Sequence, residues 1–355
     1  MRRPYSRAVA RPLTVALVAG ASLASVAASA ADLESPIDSG LQWRSGVSFP
    51  DVADVAGPAV MAPGANVAGA YAAWRGGRRL DANVAFFPAA SWAAMEHQAE
   101  TSSFRGRVGL SPQLVVSLPM MPNTARKQHA ACARGDFDDH FRRIGAALAD
   151  AGAGRALIRL GWEYNRGSHD HPWGIDTAGE IPAYVACFRR EAEALESAAP
   201  GLRIEWTNGR YTRMAVSPTR AYPGDDVVDI VGIHYYDNPQ YPRQSTQAEW
   251  DRQSTMTYAG GPMGIATWVT WASDRGKKLA VSEWGVWGVE GFTGSVDTKG
   301  DDPVYVQNMY DFFNAHADAI AYENYYGRPA LHRLFPTTVF PRSSALYRQL
   351  WSAGQ

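Results

Sequence analysis

Short apolar runs recur along the chain, each followed by polar or aromatic residues and then by an amphipathic stretch. Eight runs read as strands: Trp43–Phe49, Asn83–Phe87, Leu114–Leu118, Ala156–Leu160, Arg203–Trp206, Val228–Ile233, Leu279–Ser282 and Ala319–Tyr322. Runs such as ALIRL and DIVGI are almost wholly apolar, as a parallel strand buried on both faces requires. The clearest helical pattern is Asp136–Ala151, where Phe137, Phe141, Ile144 and Leu148 recur at three- and four-residue spacing and Gly152 follows as a stop. Glu180–Ala198 opens near Pro182 and ends before Pro200-Gly201. Val304–Ala317 and Ser343–Trp351 complete the later part. No linker, low-complexity tract or sequence repeat interrupts this rhythm after residue 40. Strands alternating with helices predict one α/β domain, a (β/α)₈ barrel over residues 31–355. An open doubly wound sheet announces itself by a glycine-rich phosphate loop, and neither G-x-G-x-x-G nor G-x-x-x-x-G-K-[ST] occurs.

The first thirty residues stand outside that rhythm. Arg2, Arg3, Arg7 and Arg11 precede an apolar stretch from Leu13 to Val26, and Ala28-Ser29-Ala30 offers a small-residue cleavage site. These are the three parts of a secretory signal peptide. The stretch is too short and too rich in Ala and Ser for a stable membrane span. The expectation is an exported protein, in the periplasm or the medium, with no membrane attachment once the leader is removed. Removing it takes four Arg and no acid, which moves the net charge from −1 to −5. That charge excludes a nucleic-acid binder working by bulk positive charge. With 46% hydrophobic residues the chain is not disordered. Its two cysteines exclude a multi-cysteine metal framework, and export permits a Cys132–Cys187 disulfide, with two buried free thiols as the alternative. The 12 Trp and 16 Tyr suit either a dense aromatic core or a surface that stacks on sugar rings.

In a barrel the chemistry sits at the C-terminal ends of the strands. Two of those ends carry a glutamate. The fourth run continues Leu160-Gly161-Trp162-Glu163-Tyr164-Asn165, and the seventh continues Ser282-Glu283-Trp284-Gly285. A lone Glu at a strand end is usually solvated or capping. Two on strands four and seven face one another across the barrel mouth. Carboxyls about 5–5.5 Å apart suit a retaining glycosidase, in which one attacks the anomeric carbon and the other protonates the leaving oxygen. The proton donor's pKa would be raised by its apolar and aromatic neighbours.

Several blocks resemble glycoside hydrolase family 26, of the clan of (β/α)₈ retaining glycosidases: IRLGWEYN with Trp173 following in HPWG, the preceding GDFDDHFRRIGAALADAG helix, VVDIVGIHYYD and VSEWG. The resemblance runs from about residue 40 to the C-terminus and is weak before residue 110. It implies Glu163 as general acid/base and Glu283 as nucleophile, with Tyr236 bonded to the nucleophile, His234 lining the reacting sugar's site and Arg159 keeping the nucleophile ionised. Asn165 would contact the sugar or orient Glu163. Trp173 and Trp284 would be sugar-stacking surfaces, with Trp92, Trp287, Tyr325 and Tyr326 as weaker candidates. The resemblance further implies a cofactor-free, monomeric enzyme that cleaves a polysaccharide, β-1,4-mannan first. Many mannan-cleaving members carry His before the acid/base, where this chain has Trp162, and Gly at the position of Arg166. These departures point to altered subsites and leave open another β-glycan, the producer's own exopolysaccharide included. A non-catalytic carbohydrate-binding barrel is the reading from another class.

Other readings of single residues stay open at this point. Arg159 could be a structural ion-pair partner, His234 a satisfied core histidine, and His169-Asp170-His171 a polar loop rather than a metal cluster. Glu323, in the eighth run, is a rival carboxylate should the strand count be off.

Overall fold

The computed structural model describes residues 33, 35–48, 67–239, 241–288, 299–327, 331–335 and 339–352. The leader read at residues 1–30 and Phe49, the last residue of the first expected strand, lie outside them. Eight strands form a closed, all-parallel barrel: β1 (Ser45–Ser48), β2 (Ala82–Phe86), β3 (Gln113–Leu118), β4 (Leu157–Leu160), β5 (Arg203–Gly209), β6 (Ile230–Asp237), β7 (Lys278–Val286) and β8 (Ile320–Tyr326). Each pairs with its neighbour in sequence, and β1 closes on β8 with Ser45 opposite Glu323.

Strands β5 to β8 run three or four residues past their apolar segments. Parallel pairing continues through polar side chains, because the ladder bonds belong to the backbone. Asn208, His234, Tyr236 and Glu283 therefore stand on paired strand, with a register shift between β6 and β7 just before His234 and Glu283. The expected alternation fails once. Between β5 and β6 the described chain forms only the short turn Pro218–Ala221 instead of a helix. Pro218 and Pro223-Gly224 break that segment, and it has no apolar positions at helical spacing. The β6–β7 connection instead holds two helices, Gln247–Ser254 and Ile265–Ser273, with a small antiparallel ribbon between them.

The clearest expected helix spans Asp138–Asp150. It buries Phe141, Ile144 and Leu148 and places Asp138 and Asp139 in its first turn, where acids favour the helix dipole. Ile181–Ala198 follows, with Pro182 in its first turn. A Cys132–Cys187 disulfide ties this helix to the short helix His129–Ala133.

The core has two parts. The larger lies between barrel and helices and holds most of the buried tryptophans, among them Trp43, Trp206, Trp268, Trp284 and Trp351. The smaller fills the barrel interior with Ala82, Val84, Val115, Leu157, Ile230 and Ala280. Above it sits a buried carboxylate, Glu205, which accepts hydroxyl bonds from Thr207, Ser282 and Tyr322. No helix among the described residues is long and apolar enough to cross a membrane.

Candidate active site

Glu283 points into the barrel mouth, where strands β4 and β6 supply its partners. Arg159 on β4 sets Nη2 at 2.7 Å from Oε1, and the Tyr236 hydroxyl on β6 donates to Oε2 at 2.7 Å. Arg159 is fully buried and fixed at its other end, with Nε and Nη2 donating to Ser117 Oγ on β3 at 3.0 and 2.6 Å. Burial disfavours a buried guanidinium's charge, but Glu283, Tyr322, Glu205 and Tyr236 together outweigh that and raise its pKa. Arg159 is thus both an ion-pair partner and a part of the site.

Glu163 comes from a different kind of backbone. β4 ends at Leu160, and Glu163 adopts φ +53°, a left-handed conformation that costs a non-glycine residue about 1–2 kcal/mol. Its N–H donates to Thr207 O on β5 at 3.0 Å, which pins the turn. Asn165 pins it again. Its Nδ2 donates to Gly209 O at 2.7 Å, and its Oδ1 accepts from Gly209 N at 2.8 Å. Gly209 leaves the space Glu163 needs, since a Cβ there would stand 3.2 Å from Oε1 and 3.0 Å from Arg166 Cδ.

His234 joins the two carboxylates. Arg159 Nη1 lies 3.0 Å from His234 Nε2, and a guanidinium only donates, so Nε2 accepts and the ring proton belongs on Nδ1. That Nδ1 is 3.2 Å from Glu163 Oε1 and 3.4 Å from Glu283 Oε2. It is aligned for a full hydrogen bond with neither. The two oxygens are therefore separated by at most the sum of those distances, about 6.6 Å. His234 is a site residue rather than a satisfied core histidine.

The expected rise in the Glu163 pKa is reversed. Burial pushes it up, but the hydrogen bond from His171, the close approach of His234 and the charge of Arg166 together outweigh burial and hold it well below the ordinary carboxylate range. The loop after β4 supplies two of these partners. His171 Nε2 is 3.4 Å and Arg166 Nε 3.8 Å from Glu163 Oε2. His169 and His171 diverge: His169 meets Asp170 in solvent while His171 turns to Glu163.

Both carboxylates open into a cleft of about 360 Å³. Trp162, Tyr236, Trp287 and Tyr326 line it, as does Phe86 at the end of β2. Trp284 does not. Successive strand residues face opposite sides, so with Glu283 inward Trp284 points out into the helix layer. There it is fully buried, packs on Phe313 and Trp351, and donates to Glu323 at 2.6 Å. Trp173 is also buried. It lies under the cleft, stacked on His171 and bonded to Trp162 O at 2.8 Å, so it supports the site rather than facing a sugar. Tyr325 is buried outside the barrel, and Trp92 stacks on His140. Asn165 has its amide committed to backbone, which leaves it the orienting role. Glu323 accepts from two indoles, Trp284 and Trp351, behind the barrel wall, so the rival carboxylate is out of reach of the cleft.

Two cleft residues escaped the sequence reading, Phe86 and His332, while Asp170 and His171 were read there only as a polar loop or a metal cluster. Phe86 carried a signal, as an aromatic closing an apolar run. His171 carried a weaker one, lying in a loop with three other titratable residues beside a candidate acid.

No family model and no curated protein matches the sequence. Solved structures do match. GH26C from a Muricauda species aligns with a TM-score of 0.61 at 13% identity, over 87% of this chain and 84% of that one. A GH26 β-mannanase from Bacteroides ovatus aligns at 0.53 and 13%, over 88% and 90%. A GH53 catalytic domain from Ignisphaera aggregans aligns at 0.55 and 12%, over 90% and 97%. The protein has the (β/α)₈ fold of the glycoside-hydrolase barrels. Within that class, the family 26 structures share its architecture over most of both chains, and at this identity the likeness is one of fold.

Proposed function

We propose that the protein is a glycoside hydrolase that cleaves a β-linked polysaccharide by double displacement, with β-1,4-mannan as the first substrate to test. The observation that carries this reading is the pair of carboxylates meeting at one histidine nitrogen in an aromatic-lined cleft. One oxygen of each, Glu163 Oε1 and Glu283 Oε2, lies within about 6.6 Å of the other through that nitrogen, which supports the covalent route. Glu283, kept ionised by Arg159 and aimed by Tyr236, attacks the anomeric carbon. Glu163 gives its proton to the glycosidic oxygen as that bond breaks. A water, deprotonated by Glu163, then releases the sugar from Glu283 and restores both groups. We assign the protein to the exported class on the strength of the leader motif, and the mature enzyme to residues 31–355.

Trp162, half-buried in the cleft wall where mannan-cleaving relatives carry His, favours a second reading, the producer's own exopolysaccharide. Both readings are tested by incubating the purified protein with galactomannan, xylan, mixed-linkage glucan and that exopolysaccharide. Products are identified and the anomer first released is read by NMR. Release of the β-anomer from a β-glycan is expected. First release of the α-anomer overturns double displacement, and no release of reducing ends from any of them overturns the enzyme assignment.

A further inference from the structure

Glu163 is approached from every side of the cleft. From β6, His234 meets Oε1, and Tyr236 stands beyond it with its hydroxyl on Glu283. From β7, Glu283 shares the same His234 nitrogen, and from β4, Arg159 reaches that ring from behind. All of these also serve the nucleophile. Among the described residues only two groups stand on the other oxygen, both from the loop after β4. Arg166 is the more distant. Its Nε lies 3.8 Å from Glu163 but 3.0 Å from Asp170, so most of its pairing goes to Asp170, which Arg213 also approaches at 3.8 Å. That leaves His171.

We propose that His171 is the positioning residue of the acid/base: it holds Glu163 Oε2 from the loop side and sets how acidic the medium must be for Glu163 to carry the leaving group's proton. The inference rests on the glycosidase reading above. The imidazole does not depend on Glu163 for its place. It stacks on Trp173 with ring centroids 4.8 Å apart and planes 10° from parallel, and Trp173 is pinned through its indole N–H to Trp162 O. The loop closes tightly on itself: a Cβ at Gly174 would stand 2.1 Å from Gly167 O. The side chain of His171 is 18% exposed, so it is neither a solvated surface group nor a sealed core one. A donor held beside a carboxylate favours its charged form. Removing the donor lets Glu163 keep its proton to higher pH.

The test measures kcat/KM against pH for the wild type, His171→Phe and Glu163→Gln. His171→Phe keeps a flat ring on Trp173 and removes only the donor. Two substrates are used, the polysaccharide the wild type cleaves and the dinitrophenyl β-glycoside of the same sugar, whose leaving group departs unprotonated. For the polysaccharide, the alkaline limb of His171→Phe moves up by about one pH unit. For the dinitrophenyl glycoside, the two alkaline limbs coincide. An unmoved limb with a uniform fall in rate makes His171 merely structural and overturns the proposal. So does an equal shift on both substrates. If His171→Phe does not fold, His171→Gln, a neutral donor, carries the same comparison with a smaller upward shift, and no shift there is also fatal. The underlying glycosidase reading fails separately, by absence of wild-type turnover or by full polysaccharide activity in Glu163→Gln.

Discussion

Glu283 stands inside a nine-residue strand, just past a register shift in its pairing with β6, whereas Glu163 stands in a left-handed turn beyond the end of a four-residue one. The partners differ in the same way. Glu283 is held by Tyr236 of the adjacent strand β6 and by Arg159, which reaches across the barrel from β4. Glu163 is held on one oxygen by the shared His234 and on the other by its own loop. A carboxylate that must form a bond at one point gains from a rigid mount. A group that must give up and take back a proton needs a setting that tolerates both charge states, and a loop with adjustable partners supplies it. On the proposed double displacement, the barrel wall would set where attack occurs and the loop when the proton is available.

The largest expected effect separates the two directly. Glu283→Ala lowers turnover by about 10⁴-fold or more on every substrate, because no group remains to form the covalent bond. Glu163→Gln is as slow on polysaccharide but regains most of the first-step rate with a dinitrophenyl leaving group. Equal losses for Glu163→Gln on both substrates would erase the distinction between attacker and proton donor.

Next in size is the mount itself. Arg159→Met strands a buried carboxylate and is expected to destabilise the fold by about 3–5 kcal/mol in urea unfolding. Arg166→Met, on the partly exposed loop side, is expected to change stability by less than about 1 kcal/mol. Comparable losses in the two variants would contradict a rigid strand side and a yielding loop side.

The same division explains what could be read without coordinates. The barrel and the strand positions of Glu283, Arg159, His234 and Tyr236 were legible in the apolar runs, while the roles of the last three were implied by the family 26 resemblance alone. The β5–β6 segment shows the limit: a repeating architecture predicts a helix there, and Pro218 and Pro223 override it. Trp284 was misassigned by the rule that made Glu283 legible, since its neighbour's inward direction sends it outward. Trp173 and His171 lie in a loop, where no period relates sequence position to direction. The Glu163 pKa was misjudged for a related reason: burial is inferable from an apolar context, while the donors that outweigh it come from eight residues downstream and from β6.

Trp284 and Trp162 turn that lesson into a smaller measurable contrast. Trp284→Phe removes an indole N–H from the buried Glu323, costing about 1–3 kcal/mol of stability, and leaves KM unchanged. Trp162→Ala, in the cleft, raises KM for the polysaccharide. A raised KM in Trp284→Phe would return that ring to the substrate side.

The smallest effect concerns stability alone. In the folded protein the Glu163 pKa lies well below its unfolded value of about 4.3. Above the unfolded pKa the group is ionised in both states, and its interactions with His171, His234 and Arg166 contribute to folding in full. As pH falls through the folded pKa the carboxylate takes up a proton in the native state too, and the contribution disappears. Glu163→Gln, which cannot ionise, lacks this contribution at every pH. The melting temperature of the variant should therefore fall below that of the wild type at pH 7 by about 2–4 °C, equivalent to about 1 kcal/mol, and the gap should close as the pH is lowered below about 4. A gap that is constant with pH would mean that the loop does not hold Glu163 as an anion, and would remove the electrostatic half of the contrast with Glu283.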